Sequence, residues 1–366
     1  MNIPFNDLKR GFDLFKSEYE KKVIEVLNTG WYILGKEVLE FEKEFAERIG
    51  AKYAIAVDNG LNAISLGIKA LNFSEDDEII VQANTYIATM LGVSHNHNNI
   101  KAIEPNMFFN IDSYKIEEKI SPKTKALLIT HMYGQPSNMS EICTICNDHG
   151  LVLLEDCAQS HFSKHKDQYV GTFGEMGFFS FYPTKNLGAF GDAGAIVTNN
   201  EFLAEKLVAL RNYGSNKKYY NQYIGYNCRM DEIQAGLLRI KLEHIEDLNE
   251  ERRAIAHRYQ SEINNPWIKL PQVLEDVEPT WHLFVIRSEK RDQLREFLAG
   301  QGITTDIHYP VPPHLSQAYS GEVWTQDLFP ITEEFAEQIL SIPLFNGMTY
   351  DEVSYIIQAI NRFQGE

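Results

Sequence analysis

The chain has 366 residues, 44% hydrophobic and 23% charged, the composition of an ordinary globular protein with room for two domains. Its 34 Lys and Arg against 51 Asp and Glu leave a formal charge of −17, which argues against a nucleic-acid partner. Four cysteines give no dense disulfide framework, Met1–Asp7 has no leader pattern, and no apolar run is long enough to span a bilayer, so a cytoplasmic location is expected.

Apolar residues at helical spacing (Phe15, Tyr19, Val23, Leu27) predict a helix over 13–28, ending at Thr29-Gly30. An aromatic loop, Trp31-Tyr32-Ile33-Leu34-Gly35, separates it from a second helix over 36–49. Tyr53–Val57 reads as a buried strand, and Asp58-Asn59-Gly60 turns it into a helix over 62–71. That geometry offers backbone N–H groups and a positive helix end to a phosphate. Strands over 78–82, 101–103, 126–130 and 151–154 continue the alternation, with a helix over 138–149. Strands alternating with helices imply a largely parallel sheet covered on both faces. Ligands in such folds bind beyond the carboxyl ends of the strands, where Gly60, Tyr86, Asp156 and Gln159 fall.

Residues 178–197 form the stretch around which the chain is organised: an aromatic strand, a break at Pro183, a tight turn carrying Lys185, and a second strand. A helix over 201–213 follows, then tyrosine-rich residues 215–228, too long for an ordinary connection and expected to be functional or to reach a partner. One long helix over 230–260 would bridge a large domain, 1–245, and a smaller α+β domain, 246–366. The latter carries a strand over 281–286, a helix over 289–300, the His308-Tyr309-Pro310 segment and a last helix over 350–363.

A lysine among apolar and aromatic residues is expected to be partly desolvated, which disfavours its charge and makes a neutral amine available for Schiff-base chemistry. Pyridoxal phosphate needs such a lysine, a carboxylate for its ring nitrogen, donors for its phosphate and an aromatic face for its ring. Lys185, Asp156, the Gly60 turn with Ser180, and Tyr86 supply that set. Cys143 and Cys146 have zinc-like spacing near His149, but lie in a helical pattern with no second pair, so no metal is expected. No GxGxxG follows a strand and no GxxxxGK[ST] occurs, which argues against a nicotinamide or ATP enzyme.

Four segments together carry a family resemblance: Thr29–Gly35, Glu155-Asp156-Cys157-Ala158-Gln159-Ser160, Phe179–Gly188, and Gly225–Ala235. Over essentially its whole length the chain resembles the DegT/StrS sugar aminotransferases, pyridoxal-phosphate enzymes of fold type I. The resemblance implies an α/β, aspartate-aminotransferase-like large domain and a small C-terminal α+β domain. It implies that Lys185 is the Schiff-base lysine and proton shuttle, that Asp156 pairs with the pyridine nitrogen, and that Gln159 lies near the phenolic oxygen. Tyr86 would stack on the ring, and Gly60, Leu61, Asn62 and Ser180 would hold the phosphate. Asn227 would reach the phosphate from the other subunit of a homodimer with shared sites. The chain departs from many relatives at two positions: Leu61 stands where they have threonine, and Tyr182 where they have histidine.

The His308-Tyr309-Pro310 segment is similar to the branch that aminates the 3-keto position of nucleotide-linked, usually dTDP-linked, 6-deoxyhexoses. In that branch Tyr182, His308 and Tyr309 would line the sugar pocket. Tyr219, Arg229, Tyr32 and His314 are further candidates for the nucleotide or the amino donor. L-glutamate is the expected donor, with pyridoxamine phosphate formed in the first half-reaction, and the product is an amino sugar for surface glycans, lipopolysaccharide among them, or natural products. The alternatives are a 4-keto sugar aminotransferase of the same family and a non-enzymatic regulatory or binding protein retaining the fold. A pyridoxamine-dependent sugar dehydratase lacks the lysine that Lys185 supplies here.

Overall fold

Apolar, branched stretches at Tyr53–Val57 (β1), Glu78–Gln82 (β2), Asn99–Ile103 (β3), Thr124–Thr130 (β4), Val152–Asp156 (β5), Met176–Ser180 (β6) and Gly194–Thr198 (β7) pair into one sheet. The structure, a computed structural model, describes residues 1–365. The sheet order is β1-β7-β6-β5-β4-β2-β3. Strands β2 to β6 pair in parallel, while β7 runs antiparallel to both β6 and β1. No helix intervenes between β6 and β7, so the chain returns alongside β6 in the opposite sense.

Alternate strand residues enter different cores, as the two-residue period requires. Ile79, Val81, Leu128 and Leu154 meet Ile64 and Ile68 of the helix Gly60–Leu71 on one face. On the other, Ile80, Leu127 and Leu153 meet Ile142 and Cys146 of the helix Met139–His149. Phe179, Phe181 and Val197 meet Phe41 and Phe45 of the helix Lys36–Ile49 there too. A separate core lies toward the C-terminus. There Phe284–Arg287 (β8) and Ile339–Ile342 (β9) pair antiparallel and pack with the helices Ile245–Glu262, Arg291–Gly300 and Tyr350–Arg362. Ile3, from the opposite end of the chain, is fully buried in this second core. Among the described residues no helix is long and apolar enough to cross a membrane.

The expected helix over 13–28 is Lys16–Thr29, preceded by a helix Leu8–Leu14 that carried no expectation, and the expected helix over 230–260 is two, Glu232–Glu243 and Ile245–Glu262. The two breaks meet: the ring of Phe15 stacks on that of His244 with centroids 4.4 Å apart. Long-range stacking accompanies the break in the 230–260 run, whose local pattern reads as one helix. The tight turn expected at Lys185 is a loop, residues 181–193, folded on itself by Lys185 N–H to Tyr182 O (2.8 Å) and Ala189 N–H to Phe181 O (2.7 Å). The helix expected over 201–213 ends at Leu210, and the strand expected over 281–286 spans Phe284–Arg287 because Trp281 adopts a positive φ. A helix, Pro330–Gln338, and β9 carry no expectation from periodicity.

Candidate active site

Strand ends, one helix start and one loop converge beyond the carboxyl edge of the parallel strands. Asp156, the last residue of β5, is buried. Its Oδ2 accepts the Thr89 hydroxyl at 2.7 Å and its Oδ1 accepts the Ala158 N–H at 3.0 Å. Burial raises its pKa, while those two donors and the positive charge of Lys185 pull it back. Lys185 is half-buried in the 181–193 loop. Among the described residues its Nζ has no hydrogen-bond acceptor and no carboxylate within 4.0 Å. Burial lowers its pKa from 10.5 to about 8, against the attraction of Asp156. At neutral pH roughly a tenth of such lysines are neutral, some two to three orders of magnitude more than for a free lysine.

The helix Gly60–Leu71 opens at Asn59, whose side chain accepts the N–H of Asn62 at 2.8 Å. The Asn62 amide also donates to the Asp58 carboxylate at 2.9 and 3.0 Å. Asn62 is thereby held at the helix start, its amide on Asp58 and its backbone N–H on Asn59. The N–H groups of Gly60 and Leu61 have no acceptor among the described residues. A Cβ on Gly60 would lie 2.6 Å from the Ser180 Cβ, so only glycine lets this helix start approach the end of β6. The Ser180 carbonyl accepts His161 Nε2 at 2.8 Å, which makes Nδ1 the unprotonated nitrogen. Burial and Lys185 together hold His161 neutral, with a pKa near 3.

Tyr309 joins the C-terminal half to this set. Its ring lies 4.7 Å from that of Tyr86, tilted by 33°, and its hydroxyl accepts Gln159 Nε2 at 3.1 Å. Gln159 Oε1 in turn accepts the Tyr133 N–H at 2.8 Å, and the Tyr133 hydroxyl donates to the His308 carbonyl at 2.5 Å. His308 is fixed by Ser341 Oγ at 2.9 Å and by stacking on Phe5. Tyr86 keeps about half its surface exposed, as does Tyr182, whose backbone adjoins Ser180 Oγ.

The remaining expected residues lie elsewhere in the chain's contacts. Tyr32 is exposed, with its hydroxyl on the Leu27 carbonyl. Arg229 donates to Asn212 at 3.1 Å and covers the Tyr213 ring. Tyr219 is 84% exposed on the hairpin of Ser215–Lys217 and Tyr220–Asn221, and Asn227 is exposed after it. His314, expected as a further candidate for the nucleotide or the amino donor, is buried, with Nε2 bonded to Glu333 Oε1 at 3.1 Å and its ring packed on Phe329, while its Nδ1 has no partner among the described residues. Thr89 and Tyr133 carry no expectation from the sequence, because a threonine in an apolar helix looks like core, and His161 offers no metal-ligand motif and no other expectation.

The family model described as the DegT/DnrJ/EryC1/StrS aminotransferase family matches residues 14–361. The chain belongs to that family. It is 47% identical over 99% of both chains to the dTDP-3-amino-3,6-dideoxy-alpha-D-galactopyranose transaminase of Aneurinibacillus thermoaerophilus. It is 40% identical, over 99% of this chain and 96% of the relative, to the dTDP-3-amino-3,4,6-trideoxy-alpha-D-glucose transaminase of Streptomyces venezuelae. Among solved structures, DesV of S. venezuelae in complex with a ketimine intermediate superposes with a TM-score of 0.96 at 41% identity, covering 98% of both chains.

As a member, this aminotransferase depends on pyridoxal 5′-phosphate, and the residues fit that cofactor. The unpaired amine of Lys185, the buried carboxylate of Asp156 with two donors, the free N–H groups at Gly60 and Leu61, and the open face of Tyr86 each meet one demand of it. Cys143 and Cys146 sit on the helix Met139–His149, with His149 turned to Glu117. The one group with metal-like spacing among the described residues is His131, Glu155 and Cys157. Its carboxylate is saturated by the N–H groups of Gly171, Phe173 and Gly174 and by His131, and it closes the loop after β5.

Proposed function

We propose that this aminotransferase converts a dTDP-linked 3-keto-6-deoxyhexose to the 3-amino sugar with L-glutamate as donor, as a cytoplasmic homodimer making deoxyamino sugars for surface glycans such as lipopolysaccharide. The observation that carries the reading is the seating of Tyr309 against Tyr86 and Gln159, which brings His308-Tyr309 to the edge of the cofactor residues. The names of the two relatives support the 3-position and the dTDP carrier, and the galacto acceptor is the first to assay. We divide the chain into a large unit, 1–245, and a small unit, 246–366, which exchange residues: Ile3 enters the C-terminal core, and Tyr319, Trp324 and Phe329 pack into the core of the sheet.

When bound, the cofactor supplies the electron sink that lets a proton leave the carbon bearing the amine. The chain's residues do the rest. Lys185 Nζ, depressed toward neutrality, would hold the cofactor and is the group that would take and return the proton. Asp156, held by Thr89 and Ala158, keeps the ring nitrogen protonated, and Gly60, Leu61 and Ser180 receive the phosphate. Tyr182, His308 and Tyr309 orient the sugar, and Asn227 of one subunit completes the phosphate site of the other. Arg229, Tyr219 and Tyr32 serve the nucleotide or the donor from the exposed rim.

The test is incubation with glutamate and each dTDP-3-keto-6-deoxyhexose, read by mass spectrometry of the amino sugar. Product from the 3-keto but not the 4-keto sugars is expected, and none from Lys185→Ala. Turnover at the normal rate by that variant would sink the mechanism. A folded wild type without amination of any sugar would favour the regulatory reading.

A further inference from the structure

A cavity of about 250 Å³ lies between the N-terminal residues 6–19, the loop after Tyr182, and the two helices that meet at His244. Of the residues assigned to the cofactor, Lys185 alone lines it. Two further cations do: Lys241, from the helix Glu232–Glu243, and Arg252, from Ile245–Glu262.

Neither cation has a carboxylate within 4.0 Å among the described residues. Lys241 Nζ donates once, to the Gly188 carbonyl at 3.4 Å, which leaves two N–H groups unspent. Arg252 spends Nη1 on the carbonyls of Trp281 and Leu344, both at 3.1 Å, and Nε on Asn346 Oδ1 at 3.2 Å. Its Nη2 has no acceptor among the described residues. The one acidic side chain on the wall, Asp7, is engaged by Arg10 at 3.2 Å and by the N–H groups of Lys9 and Arg10. The rest of the wall is largely apolar, with Phe12, Phe15, Phe190 and Phe345.

Two neighbouring positive charges in a desolvated wall are costly without a counter-ion. Burial lowers Lys241 to about 8, with Arg252 adding to the effect, and lowers Arg252 to about 10. The fold keeps both cations, and both side chains line the same open space. We propose that this cavity binds a small oxyanion or carboxylate between Lys241 Nζ and Arg252 Nη2, behind the loop that carries Lys185. The volume suits a sulfate, a phosphate or a short dicarboxylate and is small for a nucleotide sugar, since sites for larger ligands begin near ~300 Å³. Because Lys241 also holds the Gly188 carbonyl, an occupant would brace the loop that positions Lys185.

Crystals of the cofactor-loaded protein soaked in selenate give the direct reading. An anomalous peak between Lys241 and Arg252 is expected, and its absence there overturns the site. In calorimetry the wild type should bind sulfate, Lys241→Met at least tenfold more weakly, and Lys241→Arg comparably to wild type. Equal binding by Lys241→Met also overturns it. The source is decided by competition, an arm that rests on the proposed glutamate donation. If sulfate raises the glutamate concentration needed to bleach the cofactor's visible band, the site takes the donor's carboxylate. If that concentration is unmoved, the site takes a free inorganic anion. A band that glutamate never bleaches removes the donor proposal and leaves the selenate and sulfate results standing.

Discussion

Lys185 and Asp156 are two opposite charges in a desolvated region, yet their charged groups stand more than 4.0 Å apart, and their pKa values move toward one another. A buried lysine costs stability only while it is charged. Its folded pKa lies near 8 and its ordinary value is 10.5, so the cost is full below pH 8 and vanishes as pH rises to 10.5. Lys185→Met should therefore raise the melting temperature of the cofactor-free protein at pH 7, with the gap to wild type closing by pH 10.5. Thermal melts across that range check it, and a gap constant with pH would refute the assignment. Gly60→Ala tests the close approach at the phosphate end. Its new methyl would press on the Ser180 Cβ from 2.6 Å, so one of the two strand or helix ends must move. An overpacked contact of this kind costs about 1–3 kcal/mol, or roughly 5- to 150-fold in cofactor affinity if the strain falls on the phosphate site. Titration of the visible band with pyridoxal phosphate measures it.

At the scale of elements, Glu232 explains why the aromatic loop and the segment Gly225–Ala235 belong together. Its carboxylate accepts the N–H groups of Gly35 (2.7 Å), Glu37 (2.8 Å) and Val38 (3.0 Å), and so caps the helix Lys36–Ile49 from the start of another helix. Ile33 and Asp231 form a bridge beside it. The helix so capped buries Phe41 and Phe45 against β6 and the 181–193 loop, and its placement thereby supports Lys185. Glu232→Ala leaves three helix-start donors without their partner and should cost about 2–4 kcal/mol, given about 1 kcal/mol for an ordinary cap and more for a buried charge-assisted one. Urea unfolding measures the loss, and a change under 1 kcal/mol would show that water replaces the carboxylate. The Lys185 loop has a second anchor. Asn186 donates to Asn249 Oδ1 (2.9 Å) and to the Thr280 carbonyl (2.8 Å), which ties it to the C-terminal core.

For the whole molecule, the aromatic residues Trp31, Tyr32, Tyr86, Tyr219 and Tyr220 are exposed, as is Asn227 after the hairpin, and the proposed dimer needs exposed residues of this kind to cover. If each site combines Lys185 of one subunit with Asn227 of the other, Lys185→Ala and Asn227→Ala homodimers should both be impaired. Their mixed dimers carry one site with both lesions and one with neither. Random assortment then restores about a quarter of wild-type turnover. Co-expression followed by an activity assay reads this directly, and no recovery in dimers shown to be mixed would place Asn227 in its own subunit's site.

The alternation of strands and helices, the glycine turn at 60, and the placement of Asp156 and Lys185 are local patterns that imply the α/β sheet and suit the cofactor, while the family is read from the resemblance carried by four short segments. Local periodicity also placed the helices Lys36–Ile49 and Met139–His149 to within a residue or two. The breaks at Phe15 and His244, the antiparallel return of β7, and the burial of Ile3 with the C-terminal core depend on contacts between residues far apart in sequence. So do the contacts of Asn62 with Asp58 and of His314 with Glu333, and the pairing of Tyr309 with Tyr86 and Gln159. A side chain's type is written in the sequence. Which of its donors remain unspent is decided only when distant partners, drawn together by burial, have taken theirs.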